Sequence, residues 1–214
     1  MTRDEYTDLF DVYWPIAVAA GVVVVMATLF VVWRYRASRV GESWPRGRDQ
    51  NLPVEVGYAV VLAAIVAVLV YFTFSTQSDL DRADAQPARE TIEVTGARWN
   101  WRFEYPRYDL ASEGTGAGRV LPTLTVPSSA AIRFRGTSDD VMHSFYIPHE
   151  RFKRDVFPGR TTTWTLSFAP EDEGMHHEWG ACAEFCGAYH AYMKFDVEVL
   201  SPGEFRAWVQ EQRR

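Results

Sequence analysis

The sequence predicts a two-helix transmembrane hairpin followed by an all-β Greek-key barrel with a short C-terminal helix. Three observations carry this expectation: two long uncharged stretches near the start, period-two alternation through most of the remainder, and a capped amphipathic segment at the end.

No charged residue lies between Val12 and Trp33, or between Val56 and Ser78. Each run exceeds the roughly 20 residues that a helix needs to cross about 30 Å of hydrocarbon. Trp14 and Trp33 near the ends of the first run, and Tyr58 and Tyr71 within the second, suit interfacial anchors. The leading segment "MTRDEYTDLFD" is acidic and the first run is too long for a signal-peptide core, so a retained helix is expected. The expected helices cover 12–36 and 54–78 within a hairpin unit of 1–78, followed by a linker at 79–90 and a folded domain at 91–214.

Arginine sets the expected orientation. The loop "RYRASRVGESWPRGRDQN" holds five arginines against two acids, which places it in the cytoplasm of a cell whose plasma membrane the helices cross. Both flanks on the other side are acidic, with Asp4, Glu5, Asp8 and Asp11 before and Asp79, Asp81 and Asp84 after. Both termini and the folded domain are therefore expected outside. From residue 79 onward the chain has 16 basic and 21 acidic residues, a net charge of −5. That balance argues against nucleic acid and favours a cationic partner.

In "TIEVTGARWNWRFEY" the alternation places Trp99, Trp101, Phe103 and Tyr105 on one strand face. "RYDLASEGTGAGR" reads as a loop. Residues 121–126, 131–134, 161–168 and 194–200 are further strand candidates, separated by Pro and Gly turns as in a small Greek-key barrel. "SPGEF" then supplies a Ser N-cap, a Pro at the first helical position and a Glu three residues after the cap. Phe205, Trp208 and Val209 follow at helical spacing.

The two cysteines of the chain lie in "CAEFCGAYHAYM", with a histidine and a methionine close behind. A disulfide between Cys182 and Cys186 would close a very short loop, remove little unfolded-chain entropy, and leave His190 and Met193 without a purpose. A structural zinc site would use both thiolates and two imidazoles but has no need of a thioether. Soft sulfur with imidazole favours copper, and one Cys, two His and an axial Met make a mononuclear site. His143, just before the apolar run of "DDVMHSFYIP", supplies the second imidazole, yet one thiolate is then left over. Two coppers bridged by both thiolates use every donor, with one histidine on each metal and with Met193 and the Glu184 carbonyl completing the shells. His149, His176 and His177 lie in polar or acidic, loop-like sequence and read as surface or supporting residues.

"CAEFCGAYHAYM" resembles the C-x-E-x-C-x-x-x-H-x-x-M signature of subunit II of haem–copper cytochrome c oxidases, which carries the binuclear copper centre CuA. "SDDVMHSFYIP", the W-x-W strand and "FPGR" at Phe157–Arg160 extend the resemblance over nearly the whole chain. It implies a cupredoxin-like fold for the barrel. It implies His143 and Met193 as ligands of one copper, His190 and the Glu184 carbonyl as ligands of the other, with Cys182 and Cys186 bridging. The Glu184 side chain would help hold magnesium or manganese against subunit I. Trp99 would receive electrons from cytochrome c or a small copper protein, and Asp140 and Asp155 would lie on the docking surface. Glu55 matches a carboxylate at the mouth of a proton path in some members, or is simply an acid at a helix start. Subunits I and III are the implied membrane partners, and the implied activity is reduction of oxygen to water coupled to proton pumping.

Arg98 stands where many members have Gln, Asn100 replaces an aromatic between the tryptophans, and Lys194 stands where Pro is common. A quinol-oxidase version of the subunit would lack the copper ligands, and a nitric oxide reductase version would differ only in its partner. A membrane-tethered copper carrier would have no use for the tryptophan strand.

Overall fold

The computed structural model of the chain describes residues 3–36, 50–85 and 87–214. They form two compact units, one helical and one built on the β domain. Most of the arginine-rich loop, residues 37–49, lies outside the described residues.

In the helical unit, α1 spans Arg3–Tyr35 and α2 spans Leu52–Ala85. Both are apolar on all sides, as lipid-facing helices are, and both are long and apolar enough to cross a membrane. The Tyr13 hydroxyl donates to the Leu69 carbonyl at 3.0 Å and meets the Thr73 hydroxyl, which pairs the start of α1 with the later part of α2. α2 runs on to Ala85, through much of the segment expected as a linker. Nothing in "SDLDRADA" breaks a helix, and Pro87 is the first residue that forbids continuation.

The β domain has ten strands. They are β1 (Glu90–Ala97), β2 (Asn100–Tyr105), β3 (Leu110–Glu113), β4 (Thr123–Pro127) and β5 (Ile132–Ser138). After these come β6 (His143–Ile147), β7 (Phe152–Val156), β8 (Thr162–Leu166), β9 (Gly174–Cys182) and β10 (Lys194–Leu200). One sheet has the order β3-β2-β1-β5-β8 and the other β4-β10-β9-β6-β7. Two pairs are parallel, β1 with β5 and β10 with β4, so the chain crosses between sheets as a Greek-key sandwich does.

Inward residues of both sheets meet in an aromatic core. Phe145 stands at its centre, 5.0 Å from the ring of Phe195 and 5.4 Å from that of Trp164, with Trp101 at 6.0 Å. Trp101, Phe103, Phe134, Phe145 and Phe195 are fully buried, each contributing about 1.5–3 kcal/mol through burial. Helix α3, Pro202–Gln212, closes one end of the sandwich. Its Ser201–Glu204 capping box satisfies two backbone donors, Phe205 and Val209 are buried, and Trp208 packs against Tyr105 at 5.2 Å.

Three strands depart from the expectation. β3 falls inside the segment read as a loop; it is a short edge strand whose "LASE" has no apolar alternation. β7 carries three consecutive charged residues at the opposite edge and so lacks the strand pattern. β9 holds His176 and His177 in a strand instead of a loop. A register shift against β10 and a left-handed Glu178 (φ 54°) mark a bulge that breaks its alternation.

Candidate metal centre

The W-x-W stripe also departs from strict alternation. β1 ends at Ala97 and pairs it with Asn100, so Arg98 and Trp99 form the two-residue connection to β2. Trp101 therefore enters the core while Trp99 stays half-buried at the end of the sandwich. There its indole Nε1 donates to the Cys186 carbonyl at 3.2 Å.

Three pieces of chain bring the sulfur and nitrogen donors to the same end. β6 begins with His143, β9 finishes with Cys182, and residues 183–193 loop back through a single 3-10 turn at His190–Tyr192 to β10. The loop is tied down by backbone bonds from Cys182 N to Met193 O (2.9 Å), Ala183 N to Ser144 O (3.0 Å) and His190 N to Gly187 O (3.1 Å). The Ala183–Ser144 bond, with the pairing of Cys182 beside Phe145, holds this segment against β6, so donors some forty residues apart in sequence become neighbours.

Cys182 and Cys186 are free, buried thiols with their Sγ atoms 3.9 Å apart. His143 Nδ1 stands 3.9 Å from Cys182 Sγ, and His190 Nδ1 is 3.6 Å from Cys186 Sγ. Met193 Sδ is 3.9 Å from Cys186 Sγ, and the Glu184 carbonyl is 3.2 Å from Cys182 Sγ. His143, Cys182 and Cys186 form a buried group able to hold a metal ion. The donor set of two thiols, two imidazoles, a thioether and a carbonyl suits copper, since soft sulfur with imidazole selects it over hard cations.

The surrounding groups prepare these donors. Asp140 Oδ1 accepts from His143 Nε2 at 2.9 Å, leaving Nδ1 turned toward the sulfurs. The same carboxylate accepts from Val141 N at 2.6 Å, Arg98 N at 2.8 Å and Arg98 Nε at 3.1 Å. Partial burial opposes its ionisation, but these hydrogen bonds prevail and hold the carboxyl well below the usual range. Burial likewise disfavours a charged His143, yet Cys182 and Asp140 outweigh it and raise its pKa. Burial opposes the Cys182 thiolate too, but hydrogen bonding from His143, then at Ser144 and Glu184, lowers its pKa. Burial, then the neighbouring Cys182, pushes that of Cys186 up.

The remaining expected residues lie around this cluster or elsewhere. The Glu184 carboxylate faces Lys153 Nζ at 3.6 Å, and Asp155 shares that ammonium at 3.5 Å. Asp140, read from the sequence as a docking acid, is turned inward onto His143 and Arg98. Glu55 belongs to the helical unit, where its Oε1 accepts from Asn51 N at 2.9 Å and caps the start of α2. His149 and His176 stack on Trp179 at 4.4 and 3.6 Å, and His177 contacts Asp196 at 3.2 Å. None of these three histidines belongs to the sulfur cluster.

Two supporting residues carry no motif signal. Arg98 was legible only as a departure, and its partner Asp140 three residues before His143 was the available clue. Tyr189, inside the ligand loop, packs edge-on to Trp99 at 4.9 Å.

Residues 90–200 match the family described as cytochrome C oxidase subunit II, periplasmic domain. The probable cytochrome c oxidase subunit 2 of Streptomyces coelicolor is 33% identical over 92% of this chain and 72% of that protein. Cytochrome c oxidase subunit 2 of Mycobacterium tuberculosis is 27% identical over 92% of this chain and 68% of its own length. The crystal structure of the periplasmic domain of subunit II of cytochrome oxidase of Bradyrhizobium japonicum superposes with a TM-score of 0.52 at 31% identity, covering 60% of this chain and 96% of that one. The fold, the sulfur–imidazole cluster and these likenesses agree, and the chain belongs to the cytochrome c oxidase subunit II family.

Proposed function

We propose that this chain is the electron-accepting subunit of its oxidase, receiving electrons singly from cytochrome c or a small copper protein on the outer side of the membrane. One observation carries this reading: His143, Cys182, Glu184 O, Cys186, His190 and Met193 form an unbroken series of contacts of 3.2–3.9 Å. Two thiolates in the middle and one imidazole at each side are the donors of a two-copper centre. Copper held by these residues would supply one-electron redox chemistry at this end of the domain.

The chain's own residues do the rest. Cys182 and Cys186 hold the two sites at a common edge, and the aromatic core keeps the barrel beneath them rigid. Asp140 fixes the tautomer of His143 so that Nδ1 is the free donor. Trp99, half-buried and hydrogen-bonded to the Cys186 carbonyl, connects the surface to the cluster and is the residue through which electrons arrive. Asp155 contributes negative charge on the same domain for a cationic donor, although Lys153 tempers it.

All five histidines lie in the β domain, so the helices offer no imidazole for haem. Oxygen reduction to water and proton pumping therefore belong to the haem-bearing subunit I, against which α1 and α2 pack, with subunit III completing the complex. The arginine excess of the loop between the helices supports a reading with both termini and the metal-binding domain on the extracytoplasmic side. At Glu184 the Lys153 ammonium already neutralises the carboxylate, so magnesium or manganese there depends on further donors from subunit I.

The test is to load the purified chain with copper, then count the metal and record EPR. Two coppers per chain, with hyperfine structure from one electron shared over two copper nuclei, are expected. A single copper with hyperfine structure from one nucleus, or preferential zinc, would sink the proposal.

A further inference from the structure

The ligand loop does more than carry Cys186 and His190: it grips Trp99 from three directions. The indole Nε1 donates to the Cys186 carbonyl at 3.2 Å. Gly187, at φ 120°, lets the loop lie flat on the indole, since a β-carbon there would stand 3.2 Å from the ring. Tyr189 then closes over the indole, its ring edge-on at 4.9 Å and 68°. Tyr189 is itself 46% exposed and stands 6.4 Å from the ring of Tyr192. Tyr189 is not among the donors of the metal cluster, and its ring contacts are with Trp99 and Tyr192.

We propose that Tyr189 is a positioning residue for electron uptake, holding the Trp99 indole against the ligand loop so that its hydrogen bond to the Cys186 carbonyl persists. The inference rests on the reading of Trp99 as the residue through which electrons arrive. The electron passes from the reduced donor, which loses one, to the metal centre, which gains one. Tyr189 is neither oxidised nor reduced. The contact is between the two rings, so the role proposed for Tyr189 does not call on its hydroxyl.

The experiment uses the assembled oxidase carrying Tyr189→Phe, Tyr189→Ala or Trp99→Phe. Three quantities are read: the stopped-flow rate constant for first-electron uptake from reduced cytochrome c, the affinity for redox-inactive zinc cytochrome c, and the EPR spectrum of the oxidised centre. Tyr189→Ala is expected to slow uptake by about 2- to 10-fold, the scale of losing one aromatic pair, with affinity and EPR spectrum unchanged. Tyr189→Phe, which keeps the ring, should match the parent. Unchanged uptake in Tyr189→Ala overturns the inference, and so does equal loss in Tyr189→Phe. A fall in zinc cytochrome c affinity that accounts for the slower uptake makes Tyr189 a docking contact and also overturns it. An altered EPR spectrum in Tyr189→Ala does the same, by placing the effect at the ligands. Trp99→Phe separates the two readings: normal uptake in that variant removes the role of Trp99 itself, whereas slow uptake there with normal uptake in Tyr189→Ala removes only the role of Tyr189.

Discussion

Asp140→Ala is the sharpest probe of how the site is organised. The carboxylate accepts four hydrogen bonds, one of them from the Nε2 of a completely buried His143. Removing it leaves a buried N–H without an acceptor, which costs about 1–3 kcal/mol. Losing an outer partner of a metal-ligating histidine typically weakens metal affinity about 10- to 100-fold, or about 1.4–2.7 kcal/mol, and the two figures agree. The Arg98 ion pair adds little to fold stability, because the guanidinium is half exposed. Copper affinity measured by chelator competition should therefore fall about 10- to 100-fold, with circular dichroism unchanged. Asp140→Asn, which retains an acceptor for His143, should fall less. Parent-like affinity in Asp140→Ala would refute the orienting role and return Asp140 to the surface as an ordinary docking acid.

Three further outcomes are expected. Gly96→Ala puts a β-carbon 3.0–3.2 Å from the His143 ring, so copper affinity should drop without global unfolding, as chelator competition and thermal melting together would reveal. Ser201→Ala removes half of the capping box of α3 and should cost about 1 kcal/mol in urea unfolding. Burial, then the hydrogen bond to Glu90, pushes Tyr108 up to about 12 from an ordinary value of 10.0. The unfolded chain then loses that proton first, so this contribution to stability is complete below about pH 10 and is lost as pH rises toward about 12. Tyr108→Phe should flatten the alkaline fall in stability, and an unchanged slope would show that Tyr108 does not set it.

The sulfur–imidazole cluster was legible because most of its donors are local: four side chains and one carbonyl sit within twelve residues. The membrane helices were equally plain, since length and hydropathy alone define them. What escaped was whatever depends on tertiary geometry. β3 is an edge strand with no buried residue, β7 separates its buried Phe152 and Val156 by three charged residues, and the bulge in β9 shifts the phase on which a period-two reading relies. Alternation through Arg98 and Asn100 puts Trp99 on the face of Trp101 unless the strand ends, twists or bulges between them, and the chain does reverse there. Asp140 carried a charge that looked like a surface feature. Only its contacts with His143 and Arg98 reveal that it works inward.

The reversal between β1 and β2 has an evolutionary consequence. Residues in a two-residue connection change without disturbing sheet register, whereas Trp101, Cys182 and Met193 are locked into a packed interior where almost any replacement is penalised. The buried sulfur–imidazole cluster and the rim around Trp99 can therefore drift at different rates. Arg98 and Asn100, two of the three positions where this chain parts from the common pattern, lie in and beside that connection. A change at Asn100 can therefore alter this rim by itself, whereas a change of the Arg98 side chain also reaches Asp140 and, through it, His143.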